Sequence, residues 1–141
     1  MKHSQFFLVA CLMGIFAASS LAGADLKVIA NSSVGASSVS VDDLKGVFLA
    51  TKSSLSDGSH VEPVLEKGGA THEAFLKEYI GKTDTALQTY YRSLVFTGKA
   101  SMPKQLASDA EVVAYVAKTK GAIAYVSAGA STEGVKTLDV K

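Results

Sequence analysis

Two glycines, a small residue and a threonine come just before a predicted helix in the stretch EKGGATHEAF, residues 66–75. Backbone N–H groups at a helix start lie at the positive end of the helix dipole, a position that suits phosphate or sulfate. The candidate anion-binding residues are Gly68, Gly69, Ala70, Thr71 and His72. The same pattern starts many helices that bind nothing, and as a plain helix start Thr71 is the N-cap residue.

The two histidines beyond the N-terminal region offer little other chemistry. His60 and Glu62 can share one strand face, and His72 follows across the turn, but a metal site needs more convergent ligands than these. No G-x-S-x-G nucleophile elbow is present, so a small hydrolase using His72 ranks last among the hypotheses. We predict that both histidines lie at the surface.

Further polar residues have an ordinary structural interpretation. Adjacent carboxylates at Asp42 and Asp43 point in different directions on a helix, which favours dipole partners of its first turn over an acid–base pair. The five tyrosines fall mostly at core spacing, so we predict packing residues whose hydroxyls reach the surface. We predict no catalytic residue, and the protein is expected not to be an enzyme.

The N-terminus has the order of a secretory signal. A short basic region precedes an apolar run at 6–18, and the small-residue motif Ala22-Gly23-Ala24 follows. This order predicts a signal peptide over residues 1–24 and a periplasmic or secreted mature chain starting at Asp25. No second run of spanning length follows, so no membrane insertion is expected after cleavage. An uncleaved N-terminal anchor is the minor alternative.

The net charge and the cysteine content limit the kinds of partner and chemistry to expect. The 14 Lys and Arg residues include Lys2, and all 13 Asp and Glu residues lie beyond residue 24. The mature chain is therefore neutral, which argues against binding to nucleic acid or to an anionic membrane. Cys11, the only cysteine, lies in the signal region, so no disulfide, thiol nucleophile or cysteine metal site is expected. We predict no cofactor and no metal.

Strand and helix patterns alternate after residue 40, which predicts one α/β domain at 25–141 with a largely parallel or mixed sheet. The predicted strands are 26–30, 60–65, 122–126 and 135–140, with a loop or weak strand within 31–40. The predicted helices are 41–49, 72–80, 84–96 and 109–118, with Ser40, Thr71, Thr83 and Ser108 as caps. Residues 97–108 are predicted as a loop, and Pro63 makes its strand irregular or places it on an edge.

Three segments, in this order, carry a family resemblance: VSVDDLKGVFLATKSSLSDGSHVEPVLEKGGATHEAFLKEYIG, YYRSLVFTGKASMP and SDAEVVAYVAKTKGAIAYV. Over roughly residues 26–128 the chain resembles short, single-lobe members of the periplasmic phosphate ABC-transporter substrate-binding family. The resemblance implies one lobe of a type II periplasmic-binding-protein fold, a mixed, mostly parallel sheet flanked by helices. It also implies a non-enzymatic role in binding a small anion, phosphate or sulfate, or as an accessory to phosphate uptake.

The resemblance also shows what this turn lacks. The two-lobed phosphate binders grip the anion with an arginine ahead of a Ser-Gly-Thr turn. In this chain Leu65 stands at the arginine position and Gly69 at the serine position, while Thr71 matches by type. A lost guanidinium is not replaced by ordinary N–H groups, and Glu73 opposes a second anion. The alternatives left open are a weak anion site, two copies that rebuild a cleft as a homodimer, and a ligand-free module that docks another protein.

Overall fold

The computed structural model of the protein describes residues 26–141, so the predicted signal peptide lies outside the described residues. The strands are β1 (Leu26–Ala30), β2 (Ser38–Val39), β3 (Glu62–Glu66), β4 (Lys104–Leu106), β5 (Ala122–Ser127) and β6 (Lys136–Val140). The helices are α1 (Val41–Phe48), α2 (Ala70–Phe75), α3 (Asp84–Phe96) and α4 (Asp109–Lys118). Helix α2 runs directly into a π-helical segment, Leu76–Ile80. Within 26–141, no helix has the length and apolar character needed to cross a membrane.

The six strands form one sheet in the order β2-β6-β1-β5-β3-β4. Strand β3 is parallel to both β4 and β5, and β2 is parallel to β6. Only β1 runs the other way, antiparallel to β5 and β6. The predicted α/β class with a mixed, mostly parallel sheet is therefore confirmed. Because β3, β4 and β5 are parallel, their carboxyl ends meet at one edge of the sheet, where α2 and α4 begin.

Strand β5 shows how the sheet separates two cores. Its alternating side chains point to opposite faces, as the period of a strand requires. One core holds Ile123 and Tyr125 together with α1, α2 and α3. The other holds Ala122, Ala124 and Val126 together with Val112 and Val116 of α4. Both faces of β5 are covered, which explains its continuous apolar sequence.

Three of the four predicted helix caps are confirmed. The hydroxyls of Ser40, Thr83 and Ser108 accept hydrogen bonds from the backbone N–H three residues on, at 3.0, 3.2 and 3.2 Å. The predicted cap at Thr71 is wrong. Helix α2 starts at Ala70, with Gly69 as its N-cap residue. Gly68 and Gly69 adopt φ angles of 141° and 92°, which only glycine reaches without strain, so the chain turns into the helix earlier than the threonine suggested.

Strand β4 is the element that the sequence pattern missed, since it lies inside the predicted loop at 97–108. It pairs with Val64–Glu66 of β3. Strand β3 therefore lies between β5 and β4, so the edge alternative of the Pro63 prediction is wrong, whereas its other alternative, an irregular strand, is not tested by the sheet order. The register with β4 begins at Val64, one residue beyond the proline, so the missing N–H falls where β4 has not yet started.

Candidate anion-binding turn

The five predicted site residues form the turn after β3 and the first turn of α2. Gly68, Gly69 and Ala70 are exposed, and Thr71 is half-buried. The first helical bond runs from the Glu73 N–H to the Gly69 carbonyl, at 3.1 Å. The N–H groups of residues 70–72 therefore precede the helical ladder, and no side chain caps them. Of these three donor residues, Ala70 is exposed and Thr71 is half-buried, whereas His72 is fully buried.

His72 is fully buried, so the predicted surface position is wrong. Its Nε2 lies 2.7 Å from the Oδ1 atom of Asp84, at the start of α3. Since a carboxylate only accepts, Nε2 carries a proton, and in the neutral imidazole Nδ1 is then an acceptor. The Tyr125 hydroxyl donates to this Nδ1, and its oxygen accepts the Glu66 N–H at 3.0 Å. The histidine is a structural link between β5, α2 and α3.

The ring of Tyr125 fixes its hydroxyl in place. It stacks on Phe75 with ring centroids 3.9 Å apart and planes inclined by 10°. Burial raises the pKa of Tyr125 well above its usual range, so the hydroxyl keeps its proton. The prediction that tyrosine hydroxyls reach the surface is wrong here, and also for Tyr91, whose buried hydroxyl donates to the Phe48 carbonyl at 2.5 Å.

A pair of carboxyl groups joins the end of β3 to the start of α4. Glu66, the last residue of β3, is only 6% exposed, and burial together with the nearby Asp109 raises its pKa to about 8. A hydrogen bond with Glu66 lowers the pKa of Asp109, the first residue of α4. The Ser127 hydroxyl donates to Asp109 at 2.5 Å. Burial and the pairing thus favour the protonated form of Glu66 and the charged form of Asp109.

The turn has little positive charge from side chains. Leu65, at the position where the family resemblance implies an arginine, is buried in the core with α1, α2 and α3. Glu73 adds an acidic side chain to the first turn of α2. Anion affinity here would come from backbone N–H groups, the helix dipole and the exposed Lys67 beside Gly68, against neighbouring carboxylates.

Other predicted polar residues take structural roles. His60 and Glu62 are exposed and lie 3.9 Å apart. Among residues 26–141 no group of three or more His, Cys, Asp or Glu residues is arranged to hold a metal ion. Asp43 has more than a dipole role, because it accepts from Lys52 at 2.6 Å and from Ser56. The Lys52 hydrogen bond lowers the pKa of Asp43.

No protein-family model and no curated protein matches the chain. Solved structures do match. An ABC-type phosphate transport receptor from Vibrio cholerae aligns with TM-score 0.54 and 12% identity, over 82% of this chain and 46% of that one. A proposed phosphate ABC transporter substrate-binding protein from Clostridium perfringens, solved with bound phosphate, aligns with TM-score 0.62 and 15% identity, over 82% and 44%. PstS from Borrelia burgdorferi aligns with TM-score 0.61 and 13% identity, over 83% and 47%.

These matches confirm the predicted structural resemblance. The chain has the fold of part of the phosphate ABC-transporter substrate-binding proteins, and it spans about half the length of the structures that it matches, 44–47%.

Proposed function

We propose that this protein is a non-enzymatic, solute-binding protein that takes phosphate or another small anion weakly at residues 68–72, as an accessory to phosphate uptake. The observation that carries the proposal is the uncapped start of α2 at the carboxyl end of β3, where Gly68, Gly69 and Ala70 are exposed. Ligands of open α/β sheets bind at this edge. The fold shared with a protein solved with bound phosphate supports the same ligand class.

The affinity should be low for electrostatic reasons. Backbone N–H groups and a helix dipole favour an oxyanion, but no arginine lies within the turn or at position 65. Glu73 and the Glu66–Asp109 pair place negative charge nearby. We expect a Kd of ~1 mM, equivalent to about −4 kcal/mol of binding free energy.

Thermal unfolding of the mature chain in phosphate or sulfate tests the proposal. At ~10 mM anion and a ~1 mM Kd, binding stabilises the folded state by roughly 1.4 kcal/mol, enough for a visible rise in Tm. The informative variant is Ala70→Pro, because proline suits the first position of a helix but removes one N–H donor. Ala70→Gly is the matched control, since it changes the same residue and keeps the N–H.

The variants test where the anion binds, and the wild-type chain tests whether it binds at all. We expect the anion-induced rise in Tm to shrink in Ala70→Pro and to persist in Ala70→Gly. A rise that persists in both variants would move the anion to another surface. No rise at ~50 mM of either anion in the wild-type chain would contradict anion binding altogether.

The second candidate function is a protein-interaction module, and an exposed apolar group favours it. Phe96, the last residue of α3, is 93% exposed, and its neighbour Val95 is 44% exposed. Contiguous exposed apolar surface is typical of sites that contact another protein, and Val95 and Phe96 are adjacent in the chain. Sedimentation of the wild-type chain beside Phe96→Ser tests whether a second copy is the partner: a homodimer through this group would dissociate in the variant.

The proposed location depends on the N-terminal residues. We propose that residues 1–24 are removed on export and that the mature chain begins at Asp25, because the Ala22-Gly23-Ala24 motif has the spacing of a signal-peptidase site. The intact mass of the exported protein should correspond to residues 25–141. A lipid-modified Cys11 at the N-terminus would contradict this processing.

A further inference from the structure

One buried hydroxyl contacts both ends of the candidate turn. The Tyr125 oxygen accepts the Glu66 N–H at 3.0 Å, and its proton is donated to Nδ1 of His72. Glu66 ends β3, and His72 lies in the first turn of α2. The residues between these two contacts, 67–71, include both glycines of the turn.

The turn needs such a constraint because its own residues do not supply one. Glycine loses more backbone freedom on ordering than any other residue, and nothing lies within 4 Å of a Cβ built at Gly68 or Gly69. No side chain caps the start of α2. The backbone of 67–71 is held by the Lys67 N–H on the Leu106 carbonyl, at 2.9 Å, and by the Glu73 N–H on the Gly69 carbonyl, at 3.1 Å. Further order in the donors has to come from side chains outside residues 67–71.

Tyr125 is well placed to act in that way. It is fully buried in β5, and its ring stacks on Phe75 of α2. His72 is held from its other side by Asp84 of α3, at 2.7 Å. The hydroxyl thus joins both ends of the turn to the sheet, and Asp84 anchors the histidine from outside the core.

We infer that Tyr125 is a positioning residue for the proposed anion site: by holding residues 66 and 72 it sets the direction of the backbone N–H groups between them. The inference rests on the proposed function, since it assigns a role in anion binding to a residue that touches no anion. Without the hydroxyl, the donors at 70–72 are no longer held together before the ligand arrives, and ordering them on binding lowers affinity.

The test compares two hydroxyl deletions, Tyr125→Phe and Tyr91→Phe. Both remove a buried hydroxyl that bonds to the backbone, but Tyr91 bonds to Phe48, outside the turn. We expect a roughly tenfold loss of phosphate affinity in Tyr125→Phe, measured by NMR titration, and less than a twofold loss in Tyr91→Phe. In the free protein, the amide resonances of Gly68 and Gly69 should shift in Tyr125→Phe only.

Asp84→Ala keeps the inference testable if Tyr125→Phe does not fold. Asp84 is half exposed, so its loss removes the outer anchor of His72 without opening the core. We expect about a threefold loss of phosphate affinity in this variant. Unchanged affinity in Tyr125→Phe or, where that variant does not fold, in Asp84→Ala would overturn the inference and leave the proposed function in place. If the wild-type chain binds no phosphate, the proposed function fails first and the inference fails with it.

Discussion

Helices α2 and α4 begin at the same edge of the sheet, yet their first turns are built in opposite ways. At α4 the Ser108 hydroxyl accepts the Glu111 N–H at 3.2 Å, and the Glu111 carboxylate accepts the Ala107 N–H at 2.9 Å. At α2 the N-cap residue is Gly69, and no side chain accepts a bond from the first turn. The start of α4 is closed by its own side chains, and the start of α2 is open to solvent.

The difference between the capped start of α4 and the uncapped start of α2 shows that a helix start can favour either stability or ligand binding. A closed start stabilises its helix but leaves few donors for a ligand, whereas an open start gives up that stabilisation and keeps its donors. Glu66, the last residue before the turn into α2, interacts with Asp109, the first residue of α4. The open start is therefore the better candidate for binding, and four substitutions test whether the contrast holds.

The largest expected effect on stability concerns Glu66, the buried carboxyl that precedes the turn into α2. The pKa of Glu66 is raised from 4.5 to about 8, so its contribution to stability is complete below pH 4.5 and is lost as the pH rises to about 8. Glu66→Gln keeps a hydrogen-bond donor for Asp109 and does not ionise. At pH 9 we expect the free energy of unfolding of the variant to be roughly 2–4 kcal/mol higher than that of the wild type. Urea denaturation measures the difference.

The control for this experiment is Glu62→Gln, which changes an exposed carboxylate on the same strand. That variant should keep the decline of stability between pH 5 and pH 9 that we expect of the wild type. A wild-type profile that is flat over this range, or that is equally steep in Glu66→Gln, would contradict a raised pKa for the buried Glu66 carboxyl.

The next largest effect concerns the backbone conformation of Gly69 at the start of α2. Gly69 has φ 92° and ψ 173°, a region that is essentially limited to glycine. Gly69→Ala should lower the free energy of unfolding by roughly 1–3 kcal/mol through backbone strain alone, since nothing lies within 4 Å of the added Cβ. Gly129→Ala is the control, because this position is equally open and has no positive φ. Equal effects in both variants would contradict a special backbone at Gly69.

A smaller loss is expected at the closed start. Ser108→Ala removes the hydroxyl that accepts the Glu111 N–H, and it should lower the free energy of unfolding by about 1 kcal/mol. Urea denaturation measures the change, and Ser108→Thr, which restores a capping hydroxyl, should recover most of it. A Ser108→Ala variant as stable as the wild type would mean that the cap is not what stabilises α4.

The smallest effect is expected at Thr71. Because α2 starts at Ala70, Thr71 is inside the first turn and does not cap it. Thr71→Val should therefore change the free energy of unfolding by less than ~0.5 kcal/mol, in the range of ordinary surface substitutions. A loss of about 1 kcal/mol, equal to that of Ser108→Ala, would restore Thr71 as a cap and remove the contrast between the two helix starts.

The sequence predicted those elements whose signals are local. Helix α3 matches its predicted range, 84–96, residue for residue, and its Thr83 cap is three positions from its partner. Strand β4 was missed because its three residues follow Pro103 and form a strand only through pairing with β3. The prediction of Thr71 as the N-cap was wrong because Gly68 and Gly69 take positive φ angles and start the helix earlier. The presence of a threonine in the sequence does not reveal those backbone angles.

The candidate site was predictable only in part, for the same reason. The glycine turn is one continuous stretch, so its pattern is visible in the sequence. The partners that shape it come from elsewhere, since His72 meets Tyr125 across 53 residues. Glu66 likewise meets Asp109 only after α4 has packed beside β3. Burial of a histidine or a glutamate has no local signal when its neighbours are that far along the chain.

The pairing of β1 has a consequence for the order in which the molecule assembles. Both neighbours of β1 come from the other end of the chain, with Leu26 opposite Ser127 and Val28 opposite Leu138. Contacts between residues so far apart form slowly, because a long loop must close before they contribute. A chain synthesised from its N-terminus therefore exposes both edges of β1 until β5 and β6 have been added. Strand β1, near the centre of the sheet, is therefore paired late in synthesis although it is made early.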